Sequence, residues 1–359
     1  MKKVFVCIPT LSLAGAEKFV VDLALNLDKE KFEPYVIVTS QLRESSLTRL
    51  LKEQDIKIIC TGGKEKIVSL INEIKLWNIY RPDIVHANIG SILHILLPTV
   101  LYRTPRRIYT FHSSAERYFE KSLIKKLFFL WALKKGNFTA VAISSYVRQT
   151  IIDSLLIPEN QIKVILNGTD LRRFTKIRHN LKDKQSFTYI TVASFSAVKN
   201  QKMLIDAFSI VAAKYTGVKL ILVGDGELRK DLETQVNLLK LGEKVVFTGR
   251  RDDVENFLAK ADTFVISSKI EGFSLAALEA MAAGLPVIAT KCGGITELID
   301  HEKNGLLVPN NSAAGLARAM ELILQNQEMR VVLGENAKEK AKLFGIRECV
   351  EQYENLYLE

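Results

Sequence analysis

The sequence predicts an α/β protein built from two doubly wound domains in tandem. Short apolar runs alternate with helical stretches along nearly the whole chain, the pattern of parallel sheets covered by helices on both faces. The alternation lapses once near the middle and then restarts. The 359 residues, 48% hydrophobic and 25% charged, suffice for two separate cores.

In the first half, KVFVCI, YVIVTS, IKIIC, DIVHA, RRIYTF and FTAVAI read as buried strands, and Ala16 to Leu27 as the first helix. GTDLRRFTKIRHNLKDKQS is polar and charged without an apolar period, and reads as a linker. FTYITVAS, VKLILVG, KVVFTG, DTFVISS and LPVIAT then resume the strands, and Glu328 to Glu359 reads as helical, broken near Gly345. The expected domains are 1–168 and 187–345, joined by a linker at 169–186, with a final helix of about 346–359 packing back on the first domain. Ligands of such sheets bind outside the carboxyl ends of the strands. The expected site is therefore the cleft where the two sets of ends face each other.

Composition narrows the function. Cys7, Cys60, Cys292 and Cys349 lie far apart, without a CxxC pair or metal-ligand spacing, so neither a disulfide framework nor a zinc site is expected. Pro9 ends the apolar stretch after Lys2 and Lys3 too early for a secretory signal. The run Ile92 to Leu101 falls short of the ~20 residues of a membrane span. A cytoplasmic protein, peripheral at most on the inner face of the membrane, is expected. The net charge of +10 is uneven: residues 1–180 hold 28 Lys and Arg against 16 Asp and Glu, and residues 181–359 hold 22 against 24. A basic half attracts nucleic acid, anionic lipid or a phosphorylated substrate. No nucleic-acid motif accompanies it, which leaves the other two.

The most informative segment is SSKIEGFSLAALEAMAAGLPVIAT. A strand ends near Ser267, a loop carries Glu271 and Gly272, and a helix begins near Ser274 and contains Glu279. A helix N-terminus offers unpaired amides and a partial positive charge, which together bind phosphate. The amides of Phe273, Ser274 and Leu275 are the candidates, with Gly272 allowing close approach. Glu279 suits the vicinal hydroxyls of a ribose, as acidic residues do in dinucleotide folds. Glu271 then falls nearer a sugar. An E-x7-E pair alone is weak, because two solvated glutamates on an amphipathic helix satisfy it. The strand, glycine loop, small-residue helix and Gly–Pro turn around it carry the reading.

EGFSLAALEAMAAGLPVIAT, with KCGGITELI after it, resembles the E-x7-E region of retaining glycosyltransferases of the GT-B fold, in glycosyltransferase family 4 (glycosyl transferases group 1). The resemblance is strong over about 187–310 and weaker but continuous over 1–168. It implies two Rossmann-like domains facing across a cleft. It also implies that Glu279 binds the donor ribose and that Glu271 lies by the donor sugar. The family usually carries a Gly-Arg pair and then a lysine after the first strand of the second domain, both cations holding the diphosphate. In VASFSAVKNQK, Lys199 matches the lysine and is expected to open a helix, whereas Ser194 stands at the arginine position. Arg250 or Arg251, after KVVFTG, is the candidate to compensate. LVGDGEL offers only a partial glycine fingerprint, which a tight strand-to-helix turn also explains.

In the first domain, Ala14-Gly15-Ala16-Glu17 stands where the family has Gly-Gly-Ala-Glu, which implies that Gly15 brings an amide to the phosphate. His112, in IYTFHSS, matches a histidine that contacts the donor sugar; His86 follows another strand and ranks below it. Tyr118 to Lys135 reads as one amphipathic helix. Phe119, Leu123, Ile124, Leu127, Leu130 and Trp131 share one side, and Lys121, Lys125 and Lys126 lie opposite with Phe129 between the last two. A basic face bearing an aromatic suits a membrane surface, and a core helix with a solvated basic face is the plainer alternative.

The resemblance implies retention of anomeric configuration without a metal or other cofactor. Asp252-Asp253 reads as helix capping, not as a metal motif. The expected partners are a nucleotide-sugar donor, a UDP-sugar by the resemblance, and a glycan or lipid-linked acceptor in cell-surface polysaccharide synthesis. Two other classes stay open. Ser194 motivates a non-catalytic sugar-nucleotide-binding partner of a transferase, which transfer by the purified chain would eliminate. A sugar-nucleotide epimerase would convert the donor without any acceptor, so a product assay separates it. The sugar, the acceptor linkage and the oligomeric state are not legible.

Overall fold

The computed structural model describes residues 1–63, 65–119, 122–177 and 186–359. The chain divides into two compact units, Met1–Thr169 with Ile346–Glu359, and Asp170–Gly345.

In the first unit, strands β1 (Lys2–Ile8), β2 (Phe32–Val38), β3 (Lys57–Cys60), β4 (Ile84–Asn88), β5 (Arg106–Phe111), β6 (Thr139–Ala142) and β7 (Ile162–Val164) form one parallel sheet. Its order is β3-β2-β1-β4-β5-β6-β7. The helices between them are α1 (Gly15–Asn26), α2 (Ser46–Glu53), α3 (Lys66–Tyr80), α4 (Ile92–Leu101), α5 (Ala115–Phe119), α6 (Leu123–Lys134) and α7 (Ser145–Leu155). Val4 to Ile8 are buried on both faces of the sheet, which explains the unbroken apolar run of β1. The connections run one way from β1 to β3 and the other way from β4 to β7, so the sheet's direction reverses between β1 and β4.

The C-terminal helix, Ile346–Leu358, packs into this unit through Tyr353 and Tyr357, both fully buried. His86 on β4 meets the Tyr357 hydroxyl at Nδ1 and the Thr110 hydroxyl at Nε2, each at 2.7 Å. Tyr353 stacks on the His86 ring at 4.9 Å and reaches Thr110 with its hydroxyl. Burial pushes the His86 pKa down to about 3, so the ring is neutral and structural.

The second unit repeats the plan. Strands β8 (Phe187–Val192), β9 (Val218–Val223), β10 (Val245–Gly249), β11 (Thr263–Ile266), β12 (Val287–Thr290) and β13 (Gly305–Val308) are parallel, in the order β10-β9-β8-β11-β12-β13. Helices α8 (Gln201–Lys214), α9 (Arg229–Leu238), α10 (Val254–Leu258), α11 (Leu275–Ala282), α12 (Ile295–Leu298), α13 (Ala313–Gln325) and α14 (Gln327–Ala341) cover it. Its core gathers Tyr189, Phe208, Leu220, Leu222, Ile288 and Met320. Here the direction reverses between β8 and β11.

Four sequence expectations change. Strands β7 and β13, each at an edge of its sheet, add to the strands expected from the sequence. The segment read as linker divides. Asp170 to Ile177 belong to the second unit, with Phe174 buried and Arg173 paired with Glu255, whereas 178–185 lie outside the described residues.

The single helix over 118–135 is interrupted. Ser122 caps α6 by accepting a hydrogen bond from the Lys125 amide, a role serine favours over a helix interior. The faces of α6 also differ from the expectation. Phe129 is buried against Tyr109, Phe111 and Phe119, while Leu123, Ile124, Leu127 and Trp131 are 47–80% exposed. Lys121 lies outside the described residues. Helix α4 likewise exposes Leu93, Leu97 and Leu101. Among the described residues no helix is long and apolar enough to cross a membrane.

Candidate active site

The reversal between β8 and β11 opens a crevice at the carboxyl ends of these strands, the place where doubly wound sheets bind ligands. Lys199 follows β8 and Glu271 follows β11. The Lys199 ammonium donates to both oxygens of Glu271, at 2.7 and 2.9 Å. Ser268 donates to the same carboxylate at 2.6 Å. Glu271 is buried, and the Lys199 side chain is 28% exposed. The two loops are also stitched by backbone: Ser267 Oγ donates to the Lys199 carbonyl, and the Lys269 amide to the Val198 carbonyl. An ammonium and a carboxylate 72 positions apart thus share one rigid crevice.

Lys199 does not open the helix as expected. Asn200, in a left-handed conformation at φ 52°, intervenes as the cap, and α8 starts at Gln201. Lys199 is held instead by its bond to Glu271, a longer-range constraint than the helix-start pattern carries.

Helix α11 starts beside Glu271. Its cap Ser274 accepts from the Ala277 amide, leaving the amides of Phe273, Ser274 and Leu275 without acceptors among the described residues. Phe273 is buried against Phe344. Glu279 is buried, just over a turn into the helix. Arg250 is exposed after β10, past Gly249, whose φ of 73° turns the chain. Arg251 is committed elsewhere, forked onto Asp253 at 2.8 and 2.9 Å.

The glycines of LVGDGEL serve close packing of loops. A Cβ on Gly224 would meet the Ala193 carbonyl oxygen at 2.0 Å, and one on Gly226 the Phe195 carbonyl oxygen at 2.4 Å. The Phe195 amide donates to the Asp225 carbonyl across the same junction. Ser194 is exposed in this loop, its carbonyl held by the Gln201 side chain.

In the first unit the reversal between β1 and β4 organises a different set. Glu17 accepts from the hydroxyls of Thr10 and Ser12 and so folds the loop before α1. Gly15 is exposed at the first position of α1, whose cap, Ala14, has no side-chain oxygen to occupy the first amides. His112 follows β5 and its Nε2 lies 2.8 Å from Asn88 Oδ1. Burial pushes the His112 pKa down to about 3. Sequence reasoning missed Ser268 and Asn88. Both are polar residues at a strand's carboxyl end, a signal too common to single them out alone.

Two family models match the chain: Glycosyltransferase Family 4 over residues 13–173, and Glycosyl transferases group 1 over residues 172–340. An uncharacterized glycosyltransferase of Methanocaldococcus jannaschii is 31% identical over 254 residues, 70% of this chain and 68% of that protein. The UDP-Gal:alpha-D-GlcNAc-diphosphoundecaprenol alpha-1,3-galactosyltransferase of Escherichia coli is 28% identical over 81% of this chain and 79% of its own length. Among solved structures, Anabaena HepE in complex with UDP and glucose superposes with a TM-score of 0.85 at 23% identity, covering 99% of each chain, which establishes the shared fold. With two parallel Rossmann-like sheets and both halves matched, the chain belongs to glycosyltransferase family 4, the glycosyl transferases group 1.

Proposed function

We propose that the chain is a retaining hexosyltransferase that moves a sugar from a UDP-sugar to a lipid-linked or glycan acceptor in cell-surface polysaccharide synthesis. The observation that carries this reading is the Lys199–Glu271–Ser268 cluster, set beside the uncapped amides of α11. A diphosphate draws the Lys199 ammonium away from Glu271 and takes the amides of Phe273, Ser274 and Leu275 as further donors. The Gly15 amide and Arg250 add to its binding. Glu279 accepts from the ribose hydroxyls. Glu271, released from Lys199, faces the sugar, and His112 contacts a sugar hydroxyl.

In the reaction the bond from the anomeric carbon to the diphosphate oxygen breaks, and the acceptor oxygen bonds to that carbon on the same face. The acceptor's proton passes to the departing phosphate oxygen. Lysine and helix amides stabilise the charge that develops there, without a metal or other cofactor. Glu271 is the carboxylate to test as an alternative nucleophile. The UDP in the names of the E. coli and Anabaena proteins supports the choice of base, and the diphosphoundecaprenol in the former supports a lipid-linked acceptor.

Helix α6 supports a membrane-surface role on the cytoplasmic face. Its outward Leu123, Ile124, Leu127 and Trp131 stand with exposed Lys125, Lys134 and Lys135. Apolar side chains entering the headgroup region, with basic ones against anionic lipid at about 1 kcal/mol each, suffice for reversible attachment.

The test is transfer by the purified chain from a panel of UDP- and GDP-sugars to undecaprenyl-diphosphate glycans, with and without a chelator, and with the product anomer read by NMR. Transfer from a UDP-hexose with retention, insensitive to chelator, is expected. Inversion, or donor conversion without an acceptor, defeats the reading.

A further inference from the structure

His112 carries an unexplained atom. Its Nδ1 is buried and has no hydrogen-bond partner among the described residues. Leaving a buried polar atom unpaired is destabilising, so its retention calls for a reason. The other ring nitrogen is held by Asn88 Oδ1. Asn88 has only one available orientation, because its Nδ2 donates to the carbonyls of Cys7 and His86, both at 3.3 Å. The oxygen therefore faces His112, and an oxygen only accepts. The proton consequently sits on Nε2, and Nδ1 holds a bare lone pair.

The setting is built to keep this arrangement. Asn88 is fully buried at the end of β4, and its amide is capped by Ser91, whose hydroxyl donates to the carbonyls of Cys7 and Asn88. The next residue, Ile89, is forced to φ 54°, a conformation rare for a β-branched side chain. Its carbonyl accepts from the Tyr109 hydroxyl at 2.6 Å. Strain of this kind concentrates where surrounding structure over-determines a functional loop. Phe19 lies 5.2 Å from the His112 ring and restrains it further.

We infer that Asn88 is a positioning residue that locks His112 as the Nε2–H tautomer, so that Nδ1 accepts a hydrogen bond from a hydroxyl of the bound sugar. This rests on the proposed contact of His112 with the donor and specifies its chemistry. The histidine serves as a neutral acceptor and moves no proton during transfer.

The experiment is long-range ¹⁵N NMR of the full chain labelled at its five histidines, with the His112 signals identified by their loss in His112→Ala. At about pH 7 a protonated Nε2 and a bare Nδ1 are expected. A protonated Nδ1 overturns the inference from the unmodified protein alone, even if no variant folds. In Asn88→Ala the tautomers should mix, and kcat should fall about 10- to 100-fold with little change in donor KM. The same substitution in the His112→Ala background should cost nothing more, because both act through one ring. Additive losses would make Asn88 merely structural and overturn its positioning role. If His112→Ala leaves kcat intact, the sugar contact fails, while the tautomer measurement still decides whether Asn88 holds the ring.

Discussion

The two sheet reversals solve the same geometric problem with opposite chemistry. Between β8 and β11 the crevice is ionic: Lys199 on Glu271, Ser268 on the same carboxylate, and an adjoining helix start. Between β1 and β4 the groups at the strand ends are neutral: Asn88 on His112, Ser91 on a backbone carbonyl, and a histidine whose burial keeps it uncharged, while the Glu17 carboxylate is held by hydroxyls of its own loop. An ionic crevice can exchange an internal partner for an anionic ligand. A neutral one discriminates by the direction of its donors and acceptors. On the proposed reading, one plan yields a half that binds a diphosphate and a half that meets hydroxyl groups.

The sharpest way to break this contrast is to remove the ion pair. Lys199→Ala and Glu271→Ala should each lower kcat by about 10²- to 10³-fold. Glu271→Ala should leave donor KM nearly unchanged, and the double variant should fall well short of the product of the two losses. Steady-state kinetics decide it, and unchanged turnover in Glu271→Ala would remove its catalytic role. Next in size, Glu279→Ala should weaken UDP binding by roughly tenfold or more, since a hydrogen bond to a charged group is worth about 1.5–3 kcal/mol, while saturated turnover persists. Calorimetric titration reads this directly.

A third effect belongs to the first unit. Replacing Leu127 and Trp131 with serine should reduce binding to anionic vesicles by about tenfold and leave activity on a water-soluble acceptor intact. Equal loss on both acceptors would show that α6 acts on the fold rather than on the membrane.

The smallest effect is thermal and should also differ between units. His86, fully buried, and His112, partly buried, are neutral, with pKa values near 3 against about 6.5 when unfolded. Between these values the unfolded chain binds more protons, so stability falls as pH drops below about 6.5. Glu73, in the same unit, has its pKa raised to about 7 by burial and so takes up a proton over the same range with the opposite effect, which leaves a net fall in the first unit's melting of on the order of a few degrees from pH 7 to pH 5. Among the described residues the second unit holds no buried histidine. Hydrogen exchange resolved by segment would test the difference.

Much of this was legible because it is local. DTFVISSKIEGFSLAALEA announces a strand end, a glycine loop and a helix start near Ser274 within a few turns of chain, and the structure builds each in that order. Unbroken apolar runs such as KVFVCI and VKLILV carry the parallel sheets, since a strand buried on both faces admits few polar residues. The break at Ser122 was also local, but the apolar period on either side of it masked a capping residue.

By itself, then, the sequence determined two doubly wound halves, a helix that begins near Ser274, and the glutamates and lysine around it. Tertiary structure alone decided that Lys199 grips Glu271, that Asn88 orients His112, and that α6 turns Phe129 inward and Leu127 outward. The reason is physical. Helix and strand periods and caps arise within a few residues, whereas a hydrogen bond between separate strand ends, or the choice of which helical face meets a sheet, depends on what the rest of the chain brings there.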